Sequence, residues 1–247
     1  MTSVARSGRW WPRAGVVARC ALAGLTIAAS LPPWGWWPAA FVGVALWDRL
    51  LADQPARARF FRSWLVAAAW LLPATLWMWD LTRPGYLVAQ AVYATYFALA
   101  ALAVPPARPA RWIALPGAIT LAEIARWSFP FGGVPLATLA MGQAAAPLGQ
   151  TARLGTALAV SALVAVGGIA LSAAWERRWQ AAAALLAGLV VAVGLALVAP
   201  RGHTDGELTF AVVQGGGLQR TRAANTDERE VFERHLAATQ LVTTPVD

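Results

Sequence analysis

Long stretches of this chain carry no charge at all. From Leu154 to Trp175, and again from Trp179 to Pro200, every residue is neutral and most are Ala, Val, Leu or Gly. Such runs match the roughly 20 residues with which a helix crosses about 30 Å of hydrocarbon. A segment in hydrocarbon must satisfy its own backbone hydrogen bonds, which leaves helices or a closed barrel. Read along the chain, the apolar windows predict seven spans, at about 14–30, 37–52, 61–79, 86–104, 111–127, 151–174 and 179–199. The expected fold is therefore mostly α, a polytopic membrane helix bundle over residues 1–200. Composition agrees: 58% of residues are hydrophobic and 13% are charged, against about 25% charged in a soluble domain.

The net charge of +8 raises the question of a nucleic-acid partner, and the placement of the charges answers it. Every basic residue is Arg; fifteen of them precede Arg201 against five acids, whereas from Arg201 onward five face seven acids. The positive excess sits in the apolar part, which fits membrane orientation and excludes a nucleic-acid surface. Arg6, Arg9, Arg13, Arg49, Arg57, Arg59, Arg62, Arg108, Arg111, Arg177 and Arg178 fall on one side of the spans, and only Arg83, Arg126 and Arg153 on the other. By the positive-inside rule the N-terminus is cytoplasmic and the residues after about 200 are extracytoplasmic. The basic N-terminus followed by Ala14 to Ser30 has the look of a signal peptide, but six further apolar runs make it an uncleaved first span. Arg19, inside that span, is expected to snorkel toward the cytoplasm.

The connections on the Arg-poor side have a different character. Leu31 to Pro38 (LPPWGWWP) and Trp77 to Tyr86 (WMWDLTRPGY) are rich in Trp, Pro and Gly. They read either as an aromatic belt at headgroup depth or as the mouth of a lipid-binding site. Asp80 reads as a solvated cap. After Arg201, the polar turn RGHTDGE leads to Leu208–Gln214, β-branched and apolar like a buried strand. A Gly-rich loop follows, then a helix from Thr226 or Asp227. Strand, loop and helix over residues 201–247 read as the beginning of an α/β domain.

The stretch Leu121 to Gln143 holds the chemistry-bearing residues of the apolar part. Glu123 and Arg126, three residues apart, share a helix face near the outer end of the fifth span. Ionisable groups there either pair with each other, with Arg126 reaching the headgroups, or serve a site, such as a fork of donors for a lipid phosphate. Pro130 and Pro135 flank Gly132-Gly133 and cannot continue the helix. Non-helical backbone at membrane depth must be buried in protein or line a wet cavity, so the segment reads as the wall of an external cavity, or else as an interfacial loop. Other chemistry is excluded. With no Lys there is no Walker-type phosphate loop, and Gly215 to Gly217 lack a dinucleotide-binding spacing. His203 and His235 stand alone, no metal-ligand spacing is present, and no cofactor is implied. Cys20 admits no intramolecular disulfide and, deep in an apolar run, is a poor nucleophile.

Four stretches together resemble apolipoprotein N-acyltransferase, the bacterial inner-membrane enzyme of lipoprotein maturation. They are LPPWGWWPAAFVGVALW; TLWMWDL; Glu123-x-x-Arg126-Trp127 with Gly133-Val134-Pro135-Leu136, Gly142-Gln143 and Pro147-Leu148; and Val212-Val213-Gln214-Gly215. Leu136 stands where that family usually has Trp, and its G-x-S-Q is compressed here to Met141-Gly142-Gln143. The resemblance implies seven spans and then a periplasmic nitrilase-like αββα (carbon-nitrogen hydrolase) domain, of which residues 201–247 are the truncated start. It implies a ping-pong transfer in a bacterial plasma membrane: a Cys thiolate takes an acyl chain from a phospholipid donor and passes it to the amine of a diacylglyceryl-cysteine lipoprotein acceptor. The Glu, Lys and Cys of that chemistry would follow Asp247, so this stretch alone is expected to be inactive. Glu123, Arg126, Gly133, Pro135 and Gln214 are then the expected substrate-binding residues. The Arg-only, Ala-rich composition resembles actinobacterial proteins, whose relatives can partner a polyprenol-phosphate mannose synthase. A non-catalytic anchor for such a synthase is the alternative. A small-solute transporter is disfavoured, because no repeated halves are visible.

Overall fold

The computed structural model describes residues 14–130, 132–200, 206–215 and 227–243. The expected basic N-terminus, most of the polar turn at 201–207 and the Gly-rich loop with Gly216 and Gly217 lie outside them. Two compact units are present, one of residues 1–75 and 88–199, the other of residues 76–87 and 200–247.

The first unit is a helix bundle. Seven helices fall in the seven apolar windows: α1 (Ala14–Ala28), α2 (Ala39–Leu51), α3 (Ala56–Ala74), α4 (Arg83–Ala100), α5 (Ala110–Ser128), α6 (Ala152–Trp175) and α7 (Trp179–Val198). Among the described residues, two helical stretches, Pro147–Trp175 and Trp179–Val198, are both long and apolar enough to cross a membrane. The expectation of seven clear spans is corrected accordingly. The physical reason lies in length and charge. At about 1.5 Å per residue, α1 and α2 reach only about 20 Å, and α3 and α5 carry Arg57, Arg59 and Arg62, and Arg111, Glu123 and Arg126.

Packing follows residue size. α1 lies against α3 and α2, α2 against α6, and α6 against α5 and α7. Gly24 lets α1 approach α3: a Cβ there would stand 2.2 Å from the Val66 carbonyl oxygen. The core between them contains Cys20, Ile27, Trp47, Val66, Trp70, Leu71 and Phe97, and Trp47 Nε1 donates to Ser63 Oγ at 3.0 Å. α7 is the opposite case. Its apolar window is only 11% buried, with Leu186, Val190, Val191, Leu195 and Val198 exposed, as expected of a helix whose remaining surface faces lipid.

One end of the bundle gathers arginines onto helix C-termini. Arg59 donates to Gln54 O at 2.8 Å, Leu102 O at 3.2 Å and Ala101 O at 3.4 Å. Arg62 Nη1 donates to Leu50 O at 2.7 Å. The last carbonyls of a helix lack intrahelical donors and carry partial negative charge, which these cations meet. Deeper at the same end, Arg111 Nε and Nη2 donate to Asp48 Oδ1 and Oδ2 at 2.7 and 3.3 Å, Ser172 Oγ donates to Asp48 Oδ2 at 2.6 Å, and Arg111 Nη1 donates to Pro106 O at 2.7 Å. This buried cluster ties α2, α5 and α6 together.

The second unit contains a 3-10 turn (Leu76–Asp80), the first turn of α4, the extended residues 206–215 and α8 (Glu228–Thr239). Trp79 meets Tyr86 edge to face at 5.8 Å, and the Arg83 guanidinium lies 5.5 Å from the Trp79 ring centroid. Asp227 caps α8 by accepting from Arg229 N–H at 2.9 Å. The expected strand at Leu208–Gln214 does not form, and the described residues contain no strand. An extended segment becomes a strand only by pairing its N–H and C=O groups with a neighbour. Leu208–Gln214 forms no ladder with another described segment, and Val212 is 94% exposed.

Candidate functional site

The stretch singled out in the sequence lies at the end of the bundle opposite the Asp48 cluster. α5 stops at Ser128 because the residue before Pro130 is driven into an extended conformation; Phe129 adopts φ −146°, ψ 145°. The chain then turns back over the end of α5. Gly133 N–H donates to Pro130 O at 2.8 Å, and Val134 N–H to Arg126 O at 2.9 Å. Gly133 is required here twice over. Its φ is +80°, and a Cβ would stand 2.1 Å from the carbonyl of Trp127. From α4, Tyr96 OH donates to Phe129 O at 3.0 Å and holds the start of the turn.

Glu123 and Arg126 hold the returning segment from beneath. Glu123 Oε1 accepts from Leu139 N–H at 2.9 Å, and Arg126 Nη2 donates to Ala137 O at 3.4 Å. Arg126 is 1% exposed, with its guanidinium carbon 6.0 Å from the Phe97 ring centroid. It therefore does not reach toward the headgroups, and no ion pair joins it to Glu123 among the described residues. Each charged group faces backbone of the segment. Glu123 Oε2 and Arg126 Nε are buried with no hydrogen-bond partner among the described residues.

Beyond Leu139 the segment is fixed at three further points. Ala140 N–H donates to Ser161 Oγ of α6 at 3.2 Å. Gly142 packs on Ser30, just beyond α1. Gln143 Nε2 donates to Trp37 O at 3.1 Å, which ties the segment to the Trp-rich connection before α2. Short 3-10 turns, Met141–Gln143 and Pro147–Thr151, lead into α6. α6 breaks at Gly155 and Thr156, where Thr156 takes φ 67°, a conformation uncommon for a β-branched residue.

These constraints leave a cavity of about 460 Å³ walled by Trp127, Pro135, Thr138, Met141, Ala144 and Val160, among others. Its lining is mostly small and apolar. Trp127 Nε1 is buried and has no hydrogen-bond partner among the described residues. The wall can accept a slender apolar group and leaves an indole donor beside it.

Of the five residues singled out in the sequence, Pro135 lines the cavity, while Glu123, Arg126 and Gly133 hold the segment that forms its wall. Gln214 is exposed and belongs to the other compact unit. Three participants were missed. Ser161 and Tyr96 are single hydroxyls in apolar helices, a pattern shared with residues that bond their own helix, as Thr120 does with Pro116 O. Trp127 belongs to the Glu123-x-x-Arg126-Trp127 motif, which by itself does not place its ring in the wall. Asp48 did carry a signal, a carboxylate within an apolar run.

A model of the apolipoprotein N-acyltransferase N-terminal domain family matches residues 23–170, a range that contains the whole of this site. The chain belongs to that family.

Proposed function

We propose, taking that family membership as the premise, that this chain is the membrane portion of an enzyme that moves an acyl chain from a phospholipid to the N-terminal amine of a diacylglyceryl-cysteine lipoprotein. The observation that carries the proposal is the apolar cavity beside Trp127, whose wall is fastened by two buried charges, within the family-matched residues. Glu123 and Arg126 act as positioning residues: they hold the backbone at Leu139 and Ala137, and so set the wall formed by Pro135, Thr138 and Met141. Gly133 makes the turn that brings the wall back over α5. Gln214 is a further expected substrate contact. The bundle lies in a bacterial plasma membrane with the Arg-rich end cytoplasmic and this cavity outside. In this reaction a Glu, a Lys and a Cys of a nitrilase-like domain form and resolve the acyl-enzyme, and no cofactor takes part.

The test uses the full-length gene product in membranes, given a phospholipid with a labelled acyl chain and a diacylglyceryl lipopeptide. Labelled amide on the lipopeptide is expected. Arg126→Ala should lower formation of the labelled acyl-enzyme by about tenfold to a hundredfold, the scale of a misplaced substrate, while membrane insertion is unchanged. Equal acyl-enzyme yield would remove the positioning role, and no transfer by the wild-type protein would remove the proposed activity.

A further inference from the structure

A second cavity, of about 400 Å³, opens at the Arg-rich end of the first unit. Arg19 of α1, Arg49 of α2 and Arg62 of α3 all line it, with Glu176 as the acid in the lining. Among the described residues the three guanidinium groups are lightly used. Arg19 Nε donates to Gly15 O at 3.0 Å, and Arg62 Nη1 to Leu50 O at 2.7 Å. Arg49 Nη1 stands 3.8 Å from Glu176 Oε1, and Glu176 is already paired with Arg108. Three cations thus converge on a space whose carboxylate is shared. Most of their planar donor forks, the geometry that suits phosphate oxygens, remain open.

The surroundings say which phosphate. Leu22 and Leu25 follow Arg19 at helical spacing on α1, and both are exposed, so an apolar ridge leaves the cavity along the outside of the bundle. A free phosphate gains nothing from that ridge, whereas a phospholipid can lay an acyl chain on it. A headgroup with its own cation would bring positive charge against Arg49 and Arg62. We propose that this cavity binds the phosphate of an anionic phospholipid between Arg19, Arg49 and Arg62, with an acyl chain along Leu22 and Leu25. The site is distinct from the cavity beside Trp127 and lies at the other end of the bundle.

Lipid retention tests this without any measure of acyl transfer. The full chain is extracted from vesicles of equal phosphatidylglycerol and phosphatidylcholine, and the lipid that stays bound is counted by native mass spectrometry. Phosphatidylglycerol should be retained in preference. Arg19→Gln and Arg49→Gln should each lower its retention by about fivefold, the scale of one guanidinium at an anionic surface. Neither is a helix cap, whereas Arg62→Gln also removes the donor to Leu50 O and serves as a third variant. Unchanged retention in the Arg19→Gln, Arg49→Gln double variant would overturn the proposal. So would equal retention of phosphatidylcholine. Displacement by millimolar inorganic phosphate would show a site for a soluble anion and overturn the lipid assignment.

Discussion

Arg111 apart, which is enclosed with Asp48, the two ends of the bundle use arginine differently. At the Arg-rich end, Arg59 rests on carbonyls just past the end of α4, Arg62 on one in the last turn of α2, and Arg49 and Arg108 share Glu176. At the far end one arginine, Arg126, is wholly enclosed and touches the backbone of a returning segment. Where several arginines meet helix ends, water or headgroups can solvate the unused donors, and the chain gains neutralised dipoles. Where one is enclosed with a carboxylate, desolvation is costly and is offset only by what the pair holds in place. The contrast separates arginines that orient and cap from one that shapes a wall.

Breaking each end in turn should rank as follows. The largest loss is expected from Asp48→Ala. Asp48 is the acceptor for Arg111 and Ser172 in a closed interior, and removing one partner of a buried pair costs about 3–5 kcal/mol. Thermal unfolding in detergent should show it, and a loss below about 1 kcal/mol would mean that Arg111 finds other partners. Gly133→Ala comes next, at about 1–3 kcal/mol for its left-handed backbone, with the clash at the Trp127 carbonyl adding to it. Hydrogen exchange should localise that loss to residues around 129–143 rather than to the Asp48 end. Glu123→Ala strands the Leu139 N–H and should cost about 1–3 kcal/mol, whereas Glu123→Gln keeps an acceptor and should cost less. A Gln variant as damaging as Ala would show that the charge itself holds the segment. The smallest effect is expected from Arg229→Ala in α8, whose pair with Glu233 is exposed. Such a pair is worth at most about 0.5 kcal/mol.

What the sequence discloses follows from the range of the interactions that decide each feature. Apolar windows placed the helices because burial in one phase needs only local hydropathy, and a helix start at Thr226 or Asp227 was visible because capping is local: Asp227 accepts from Arg229, two residues away. The i, i+3 spacing placed Glu123 and Arg126 on one face. It could not show that they face backbone of residues 137–139 rather than each other, since that depends on how the segment after Pro130 folds back. The link between Asp48 and Arg111 crosses from α2 to α5, a separation no periodicity covers. Leu208–Gln214 has strand composition, yet strand formation depends on a neighbour that the segment does not itself contain.

The cavity beside Trp127 is tested most directly with a phospholipid that carries a photoactivatable diazirine at the middle of one acyl chain. The full-length protein is irradiated in vesicles containing it, digested and mapped by mass spectrometry. Adducts on the lining residues Trp127, Met141 and Ala144 are expected, and Arg126→Ala should diminish them. Adducts confined to the outward residues of α7, such as Leu186 and Val190, with none between Trp127 and Val160, would contradict an acyl-binding wall.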